Sequence, residues 1–377
     1  MSLRHKGIMG VLLVLALGAV LVLGTRPPTM TSRMDEPSFV QAMQMSGFEP
    51  VAAVRQFSFP GDHGPHPEQR VEWWYYTGNV FSASGQRFGF QITLFRIGLD
   101  ATPSTEGDSA WRAKEIYIGH AALTDVEGKR YFHEERFERA ALGLAGARTE
   151  PNRVWLREWE LASTDGAEFS ARIDGSAFAL DFSMRAQKPP VLQGEAGLSR
   201  KGPGHGEASY YYSIPRLSVA GTVTVDGVAH AVSGSAWLDR EWTSAVLARG
   251  LEGWDWFSLQ FLTGEELMLY RLRDERGDAS PWSGGSWVDR DGSTVILAAT
   301  DIVLRPVRGA AAQTYGAYPL SWEISVAPLA LSLQSRAALT NQEFVGFVRY
   351  WEGAVDVSGS RRGAPIRGVG YMELTGY

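Results

Sequence analysis

The chain has 377 residues, of which 44% are apolar and 21% charged, a composition typical of a globular protein and not of a disordered or collagen-like one. Its 36 lysines and arginines against 42 aspartates and glutamates give a formal charge of −6 without a basic block, so nucleic acid is not an expected partner. Cysteine is absent, which excludes disulfides, thiolate metal sites and cysteine nucleophiles. The 13 tryptophans need a place to pack, and a large aromatic-lined cavity would provide one.

Residues 1–24 have the pattern of a targeting segment. A short basic region precedes an apolar stretch over residues 8–23, and small residues follow that resemble a weak cleavage site. This pattern predicts an export signal, with an uncleaved membrane anchor as the alternative, and a globular part in the periplasm or secreted. Residues 25–49 are expected to form a tether, in which residues 38–45 can form one short helix.

From Val71 onward the sequence predicts β-strands. Short runs alternate apolar and polar residues, or are rich in β-branched and aromatic residues, whereas helical periodicity is hard to find. The predicted strands cover residues 71–80, 88–97, 116–123, 219–225, 254–261, 267–272, 294–298 and 345–351. Turns are predicted at residues 84–85, 165–166, 226–227 and 291–292, and a long mobile loop at residues 195–206. The chain is therefore expected to be all-β, as an antiparallel sandwich or barrel.

Two parts of the chain resemble each other. A Trp-Tyr-Tyr run that begins at Trp74 has a counterpart in a Trp-Phe-Ser run that begins at Trp256, and each run is followed by a similar predicted strand. The stretch at residues 234–239 is likewise similar to residues 368–373. This repeat predicts two related β-domains, which we place at residues 50–245 and 246–377.

The densest group of candidate catalytic residues lies at residues 62–76, which contain two histidines, three acids and four aromatic residues. On a strand, Glu72, Trp74 and Tyr76 would share one face, and the two aromatic residues between them the other. A carboxyl group beside aromatic rings in a cavity would have a raised pKa and could act as an acid. The alternative is that Glu72 caps a turn or pairs with an arginine.

The spacing of His63 and His66 suggests a metal site, but the sequence favours another interpretation. The chain has no HExxH motif, and a proline-flanked loop is a poor helix, so a metal would need ligands from elsewhere. Loop histidines with ordinary hydrogen-bond partners are preferred, and neither a metal nor a cofactor is expected. His120 lies in an apolar predicted strand and is interpreted as structural.

A second group follows at residues 237–242. If this stretch is extended, Trp237, Asp239 and Glu241 share one face. Two neighbouring carboxylates tend to split their pKa values, which leaves one protonated near neutral pH, as general acid catalysis requires. The alternative is a structural network in which arginines neutralise both acids.

A third group contains Trp254 and Trp256, with Tyr270 on the next predicted strand. Such aromatic spacing is typical of core packing and fits a cavity wall equally well. The chain lacks a Gly-x-Ser-x-Gly elbow, a Walker loop and a dinucleotide fingerprint. This disfavours α/β-hydrolase, kinase and dehydrogenase chemistry.

Together these motifs resemble the AttH-like, lipocalin-like family, which includes the carotenoid 1,2-hydratases (hydroxyneurosporene synthases). The resemblance covers residues 50–377 and implies two calycin-like antiparallel β-barrel domains, in agreement with the duplicated strand pattern. The motifs that carry it are DHGPHP at residues 62–67, EWWY at 72–75, GHAALTD at 119–125, YYSIP at 211–215, WLDREW at 237–242 and WDWF at 254–257.

The resemblance implies that the protein binds an apolar isoprenoid or lipid. In the hydratases of the family a carboxylic acid protonates a C=C bond, a tertiary cation forms, and water captures it without a redox cofactor. Asp239 matches the candidate acid, aromatic π faces would stabilise the cation, and His66 or Glu72 would orient the water. The expected catalytic residues are Asp239, Glu241, Glu72 and His66. The expected ligand-binding residues are Trp74, Tyr76, Tyr212, Trp237, Trp254 and Trp256.

Two other functions stay open at this point, because other branches of the family act on polyketide-like substrates and the fold does not fix the reaction. A non-catalytic periplasmic carrier of a hydrophobic ligand needs only the barrel and its aromatic lining. A secreted hydrolase of glycans would use tryptophan platforms and paired carboxylates, with Asp239 and Glu241 about 7 Å apart at Cα. In each case the partner is a small molecule, and residues 8–23 offer a route to membrane association.

Overall fold

The computed structural model describes residues 47–101, 113–245, 247–309 and 314–377. The predicted targeting segment, most of the predicted tether and its short helix lie outside these residues. In the part of the chain that is described, no helix has the length and apolar character needed to cross a membrane.

The described residues form strands and three short 3-10 helices, which confirms the all-β prediction. The first sheet has 13 of these strands. They are β1 (Val71–Ser82), β2 (Arg87–Gly98), β3 (Glu115–Asp125), β4 (Arg130–Arg139), β5 (Ala145–Thr149), β6 (Asn152–Leu156), β7 (Trp159–Ser163), β8 (Glu168–Asp174), β9 (Phe178–Ala186), β10 (Val191–Leu192), β11 (Leu198–Arg200), β12 (Ala208–Val225) and β13 (Val228–Thr243).

The second sheet has ten of the described strands, and a separate hairpin has two. The strands of the second sheet are β14 (Leu251–Phe261), β15 (Glu266–Asp274), β16 (Gly284–Val288), β17 (Thr294–Ala298), β18 (Ile302–Pro306), β21 (Ser321–Val326), β22 (Leu331–Ala337), β23 (Glu343–Val345), β24 (Arg349–Arg361) and β25 (Ala364–Leu374). The hairpin consists of β19 (Thr314–Tyr315) and β20 (Tyr318–Pro319). The 3-10 helices are Gly61–His63, Ala299–Asp301 and Ala327–Leu329.

The first sheet is antiparallel and nearly closes into a barrel. Its strands follow the order β4-β3-β2-β1-β13-β12-β9-β8-β7-β6-β5, and β5 and β6 at one end contact β3 and β4 at the other. Large buried side chains fill the interior, among them Trp74, Phe90, Trp159, Phe182 and Trp242. The inside of this barrel is therefore a packed core.

The second sheet repeats the strand order of the first, as β17-β16-β15-β14-β25-β24-β22-β21-β18, around a core of its own. The strands β1, β2 and β13 thus correspond to β14, β15 and β25. The strand register corrects one detail of the predicted repeat. Tyr75 pairs with Asp239 and Trp256 pairs with Glu373, so the counterpart of Trp256 is Tyr75 and not Trp74.

Seven of the eight predicted strands coincide with observed ones, and the four predicted turns lie between strands. The predicted strand at residues 345–351 is wrong, because β23 ends at Val345 and β24 begins only at Arg349, with a turn closed by the Gly346 amide and the Val348 carbonyl. The predicted loop at residues 195–206 contains the short strand β11, which pairs with β12.

The strands of the first sheet end at Thr243 and those of the second begin at Leu251. Both sheets belong to one compact unit. Charged side chains of the first half reach the second: Lys188 Nζ lies 2.7 Å from the buried carboxylate of Glu266, and Arg216 contacts the other oxygen of that carboxylate. The two sheets are therefore packed together as parts of one body.

Candidate functional site

A cavity lies between the outer face of the first sheet and the second sheet. Its volume is about 160 Å³, enough for roughly five to ten water molecules. An apolar cavity that contains a few polar groups is the usual form of a small-molecule site. The apolar walls include Trp73, Phe95, Ile97 and Ile118 from the first sheet and Trp254, Trp256 and Leu272 from the second.

Strand alternation decides which residues of β1 reach this cavity. Trp73 and Tyr75 line it, whereas Glu72, Trp74 and Tyr76 point to the other side of the sheet, as their predicted sharing of one face requires. Trp74 and Tyr76 pack in the core of the barrel, and Tyr212 of β12 packs there with them. Three of the six expected ligand-binding residues are therefore parts of the barrel core.

Glu72 is the centre of a buried ionic cluster on the side of the sheet away from the cavity. Its carboxylate accepts hydrogen bonds from Arg96, from Arg240 Nη2 at 2.9 Å and from the His66 amide at 3.0 Å. Burial would raise the pKa of Glu72, but Arg96, His66 and Arg240 outweigh it and hold that pKa well below its ordinary value. The alternative interpretation from the sequence, pairing with arginine, is what the geometry shows.

His66 belongs to the same cluster. Its ring stacks on Trp242 at 3.7 Å, and its two nitrogens lie 3.3 Å from a Glu72 oxygen and 3.2 Å from an Asp62 oxygen. His63 lies 2.5 Å from the Tyr212 hydroxyl. Both loop histidines thus have ordinary hydrogen-bond partners. Among the described residues, no group of three or more histidine or acidic side chains is arranged to hold a metal ion.

Asp239 of β13 faces the cavity, and Glu241 shares that face as predicted. The Asp239 carboxyl is buried and accepts hydrogen bonds from the Ser213 hydroxyl, from Trp237 Nε1 at 2.7 Å and from the Tyr211 hydroxyl at 2.7 Å. Burial raises the pKa of Asp239 to about 7, although these three donors oppose the rise. A group with this pKa is present in both protonation states at neutral pH, as a general acid requires.

Glu241 has a charged partner of its own. Lys201, which follows β11, places its Nζ 2.9 Å from the Glu241 carboxylate, and Ser209 donates a further hydrogen bond to it. Burial would lower the pKa of Lys201, but Glu241 raises it above its ordinary value, so the lysine remains protonated. Lys201 and Glu241 therefore form an ion pair beside Asp239, and the negative charge of Glu241 raises the pKa of Asp239 further.

Two further acids, Glu352 of β24 and Glu373 of β25, line the cavity. The sequence analysis did not identify them as site residues. Trp254 Nε1 donates to Glu373 at 3.2 Å, and the Tyr75 hydroxyl donates to Glu352 at 2.6 Å. Burial and the nearby negative charges raise the pKa of Glu373 to about 8 and that of Glu352 well above its ordinary value. The second sheet thus adds two carboxyl groups that favour the protonated form at neutral pH.

Many of the polar groups at the cavity lie along one row in each sheet. Successive cross-strand partners in the first sheet are Ser213, Asp239, Tyr75, Thr93, His120 and Glu135. Those in the second sheet are Glu352, Glu373, Trp256 and Tyr270. The hydrogen bond between Tyr75 and Glu352 joins the two rows. A band of polar and titratable groups therefore crosses the cavity.

The duplicated antiparallel sheets define a two-sheet β-protein with an aromatic-lined cavity between the sheets. Residues 50–377 match the model of the AttH-like family, and the chain belongs to that family, which confirms the resemblance seen in the sequence. An AttH protein from Nitrosomonas europaea is 35% identical, with a TM-score of 0.77, over 88% of this chain and 99% of that one.

Two more distant structures share the fold. Kievitone hydratase from Nectria haematococca is 16% identical, with a TM-score of 0.65, over 88% of this chain and 96% of that one. CghA with bound Sch210972 is 14% identical, with a TM-score of 0.55, over 88% of this chain and 96% of that one. The chain is thus structurally similar to a hydratase. A comparison with curated proteins found no match.

Proposed function

We propose that the protein is a hydro-lyase that adds water across an isolated C=C bond of an apolar isoprenoid held between the two sheets. The observation that supports this most is the carboxyl group of Asp239, which is buried in an aromatic-lined cavity and has a pKa of about 7. Such a group can deliver a proton to an apolar substrate at neutral pH. The fold shared with kievitone hydratase adds support from a protein that carries the name of this reaction class.

The reaction consists of two proton transfers and one addition. The Asp239 carboxyl gives its proton to the less substituted carbon of the C=C bond, and the π electrons form the new C–H bond. The positive charge then lies on the more substituted carbon, where the oxygen of a water molecule adds. That water returns a proton to the Asp239 carboxylate, so atoms and charges balance without an oxidant or a reductant.

Aromatic rings around Asp239 are placed to stabilise the cationic intermediate. Trp254, Trp256 and Tyr270 line the cavity together with Asp239, and their π faces attract positive charge. Trp237 contributes differently from the expectation, because its indole N–H holds the Asp239 carboxyl in place. Glu373, when protonated, is a hydrogen-bond donor from the opposite sheet that can hold the attacking water.

The residues on the barrel side of the sheet take no part in this reaction. Glu72 and His66 form the ionic cluster beneath β1, and Tyr212 packs in the barrel core. Their side chains are separated from Asp239 by the sheet itself, because Asp239 pairs with Tyr75, which faces the cavity. We therefore assign the acid role to Asp239, with Glu241 as its charge partner.

The test follows the oxygen of water. The full-length protein is incubated in H₂¹⁸O with acyclic isoprenoids, namely farnesol, squalene and lycopene, and products are analysed by mass spectrometry. We expect the wild type to form an alcohol that has gained one labelled water and Asp239→Asn to form no such product. Quenching of tryptophan fluorescence should show that both proteins bind the substrate. Asp181→Asn is the matched control, since that side chain is 68% exposed on the barrel surface.

Saturable binding without label in any product would contradict the hydratase and support the carrier of a hydrophobic ligand, which the apolar lining of the cavity also suits. Release of a chromophore from aryl glycosides, lost in Asp239→Asn, would contradict it in favour of a hydrolase.

We further propose that residues 1–24 direct export of the protein. The support comes from the sequence, in which a basic start precedes the apolar stretch 8–23. The mass of the protein recovered from cell fractions tests this. A periplasmic protein that lacks the first residues indicates a cleaved signal, and a full-length protein in the membrane fraction indicates an anchor. A full-length protein in the cytoplasm would overturn the proposal.

A further inference from the structure

We propose that Glu135, His120 and Tyr350 form a second polar pole of the cavity, which binds a hydroxyl group at the end of the substrate remote from Asp239. The inference rests on the proposed function and deepens it by naming the substrate class, an acyclic isoprenoid alcohol of medium length. The three side chains line the cavity and come from β4, β3 and β24, so both sheets contribute to the pole.

The hydrogen bonds of His120 fix its tautomer. Its Nε2 lies 3.1 Å from Glu135 Oε1, and its Nδ1 lies 2.8 Å from the Tyr350 hydroxyl. Because a carboxylate only accepts, the hydrogen of a neutral ring lies on Nε2, and Nδ1 accepts the hydrogen of Tyr350. Burial lowers the pKa of His120, which favours the neutral ring.

This pole presents hydrogen-bond acceptors to a ligand. Tyr350 uses its hydroxyl hydrogen on His120, and a phenol oxygen accepts hydrogen bonds as well as donating one. Glu135 is fixed by the Phe347 amide, 3.0 Å from both of its oxygens, and a carboxylate has several acceptor positions. A ligand group bound here must therefore donate a hydrogen bond. A hydroxyl group does so, whereas a ketone or an ether cannot.

The surroundings of the pole are apolar. His120 stacks on Phe344 at 4.4 Å and contacts Phe95 edge-on at 5.3 Å, and Ile118 and Val348 line the cavity beside it. A polar group in such a wall loses its hydration and selects strongly for a ligand that restores a hydrogen bond. Between the two poles the ligand would pass Tyr75 and Thr93 as well as hydrocarbon and aromatic surfaces.

The strand register sets the distance between the poles. Asp239, Tyr75, Thr93 and His120 are successive partners on neighbouring strands. Three interstrand steps span about 14 Å, and side chains that lean into the cavity reduce this to roughly 10–14 Å. An extended chain advances about 1.2 Å for each bond, so about eight to twelve bonds separate the hydroxyl oxygen from the protonated carbon.

This separation selects among the isoprenoid alcohols. The count from the hydroxyl oxygen to the protonated carbon of the terminal C=C is about six bonds in geraniol, ten in farnesol and fourteen in geranylgeraniol. Farnesol is therefore the length that places its hydroxyl at Tyr350 and Glu135 while its terminal C=C lies at Asp239.

The binding test uses the full-length protein and quenching of its tryptophan fluorescence by farnesol and by farnesyl methyl ether, which has the same chain but no hydrogen to donate. We expect farnesol to bind about tenfold more tightly than the ether, and Tyr350→Phe and His120→Phe to reduce that ratio to about threefold or less. Tyr131→Phe is the matched control, because its buried hydroxyl lies outside the cavity lining, and it should keep the ratio. Equal binding of alcohol and ether by the wild type, or an unchanged ratio in folded Tyr350→Phe, would overturn the second pole.

Hydration in H₂¹⁸O separates this inference from the proposed function. We expect Tyr350→Phe to raise KM for farnesol about tenfold with kcat changed little, since Asp239 is untouched. Selective binding of farnesol without any labelled product would contradict the hydratase and leave the second pole supported. Labelled product with equal KM for farnesol and its ether would support the hydratase and contradict the second pole. Tighter binding of farnesylamine than of farnesol would overturn the hydroxyl assignment in favour of a cation site.

Discussion

Asp239 and Glu373 occupy equivalent positions in the two halves of the molecule. Each is the last residue of the repeated closing stretch, and each pairs with the cavity-facing aromatic residue of the first strand in its sheet, Tyr75 for Asp239 and Trp256 for Glu373. Both carboxyl groups face the cavity. The duplication that builds two sheets therefore also supplies one acid from each half to a single site.

The two acids differ in what surrounds them, and this separates their roles. Asp239 accepts three hydrogen bonds and lies near the pair of Lys201 and Glu241, whereas Glu373 accepts one, from Trp254. The pKa of Asp239 is about 7 and that of Glu373 about 8. Under the proposed function, the first would exchange its proton with the substrate near neutral pH, while the second, which favours the protonated form, would donate a hydrogen bond.

The raised pKa of Asp239 predicts that the protein becomes less stable, relative to Asp239→Asn, as the pH rises. The pKa moves from 3.8 to about 7 on folding, so between these values the folded state holds a proton that the unfolded state has lost. Stability due to this group is complete below about pH 4 and is lost through pH 7, a change on the order of 4 kcal/mol. Urea unfolding of both proteins at about pH 5 and pH 8 should detect about 3 kcal/mol of this change.

The asparagine variant cannot satisfy all the donors around Asp239, so its stability at one pH does not test the prediction. The test is how the difference in unfolding free energy between the two proteins changes with pH. A constant difference between the two proteins across this range would show that Asp239 has an ordinary pKa in the folded state.

The same carboxyl group predicts the pH dependence of the rate. Asp239 must be protonated to act as an acid, so activity should be highest below pH 7 and fall about tenfold for each pH unit above it. Glu241→Gln should move this decline to lower pH by about half a unit to one unit. The Glu241 carboxylate raises the pKa of Asp239, and without it Lys201 would lower that pKa.

Initial rates of labelled product between about pH 5 and pH 9 give both curves. Glu168→Gln, in an exposed pair with Arg185, is the control and should leave the decline in place. A rate that increases through pH 7 in the wild type would indicate that the carboxylate of Asp239 acts as a base in the limiting step.

The sequence predicted the alternation of side chains along β1, but it did not predict which face of the strand lines the cavity. Glu72, Trp74 and Tyr76 share one face as predicted, yet both faces of the strand are buried, one in the barrel core and the other beneath the second sheet. A strand covered on both sides has no polar face to identify the site. The dense motif at residues 62–76 therefore drew attention to an ionic cluster that holds the fold together.

Glu352 and Glu373 were missed for a related reason. Each is a single carboxyl group among apolar residues, and nothing local marks it as part of a site. The repeat did contain the signal for Glu373, because the predicted match of residues 234–239 with 368–373 aligns it with Asp239. Glu352 becomes recognisable only through the pairing of β24 with β25, which brings it beside Glu373.

Glu72 provides a test of the structural role assigned to its cluster. In Glu72→Gln the buried guanidinium groups of Arg96 and Arg240 lose the carboxylate that they share, which should cost about 3–5 kcal/mol in the free energy of unfolding. Because the pKa of Glu72 lies well below its ordinary value, this stabilisation is present above about pH 4.5 and is lost as the pH falls further. Urea unfolding at neutral and acidic pH measures both effects.

Glu115→Gln is the matched control, since Glu115 contacts the same Arg96 at 2.9 Å but is 26% exposed, and the loss should be below about 1 kcal/mol. The folded fraction of Glu72→Gln should keep its turnover, because the carboxylate faces away from the cavity. A large loss of kcat in the folded variant would return Glu72 to the catalytic machinery.

Glu266 predicts that the two sheets unfold together. Its carboxylate, fully buried at the start of β15, holds Lys188 and Arg216 from the first half, and Lys188 Nζ also donates to the Gly264 carbonyl at 2.8 Å and the Asp289 carbonyl at 2.6 Å. Glu266→Gln leaves two cations between the sheets without their counter-charge, at a cost of about 3–5 kcal/mol. The wild type should show one urea transition by tryptophan fluorescence and circular dichroism alike, since the shared cavity and this ionic contact couple the halves. In Glu266→Gln the transition should move to lower urea and broaden or split as the halves separate, whereas Glu168→Gln should leave it unchanged.

Two separate transitions in the wild type would show that each sheet folds independently and that the cavity forms only when they dock.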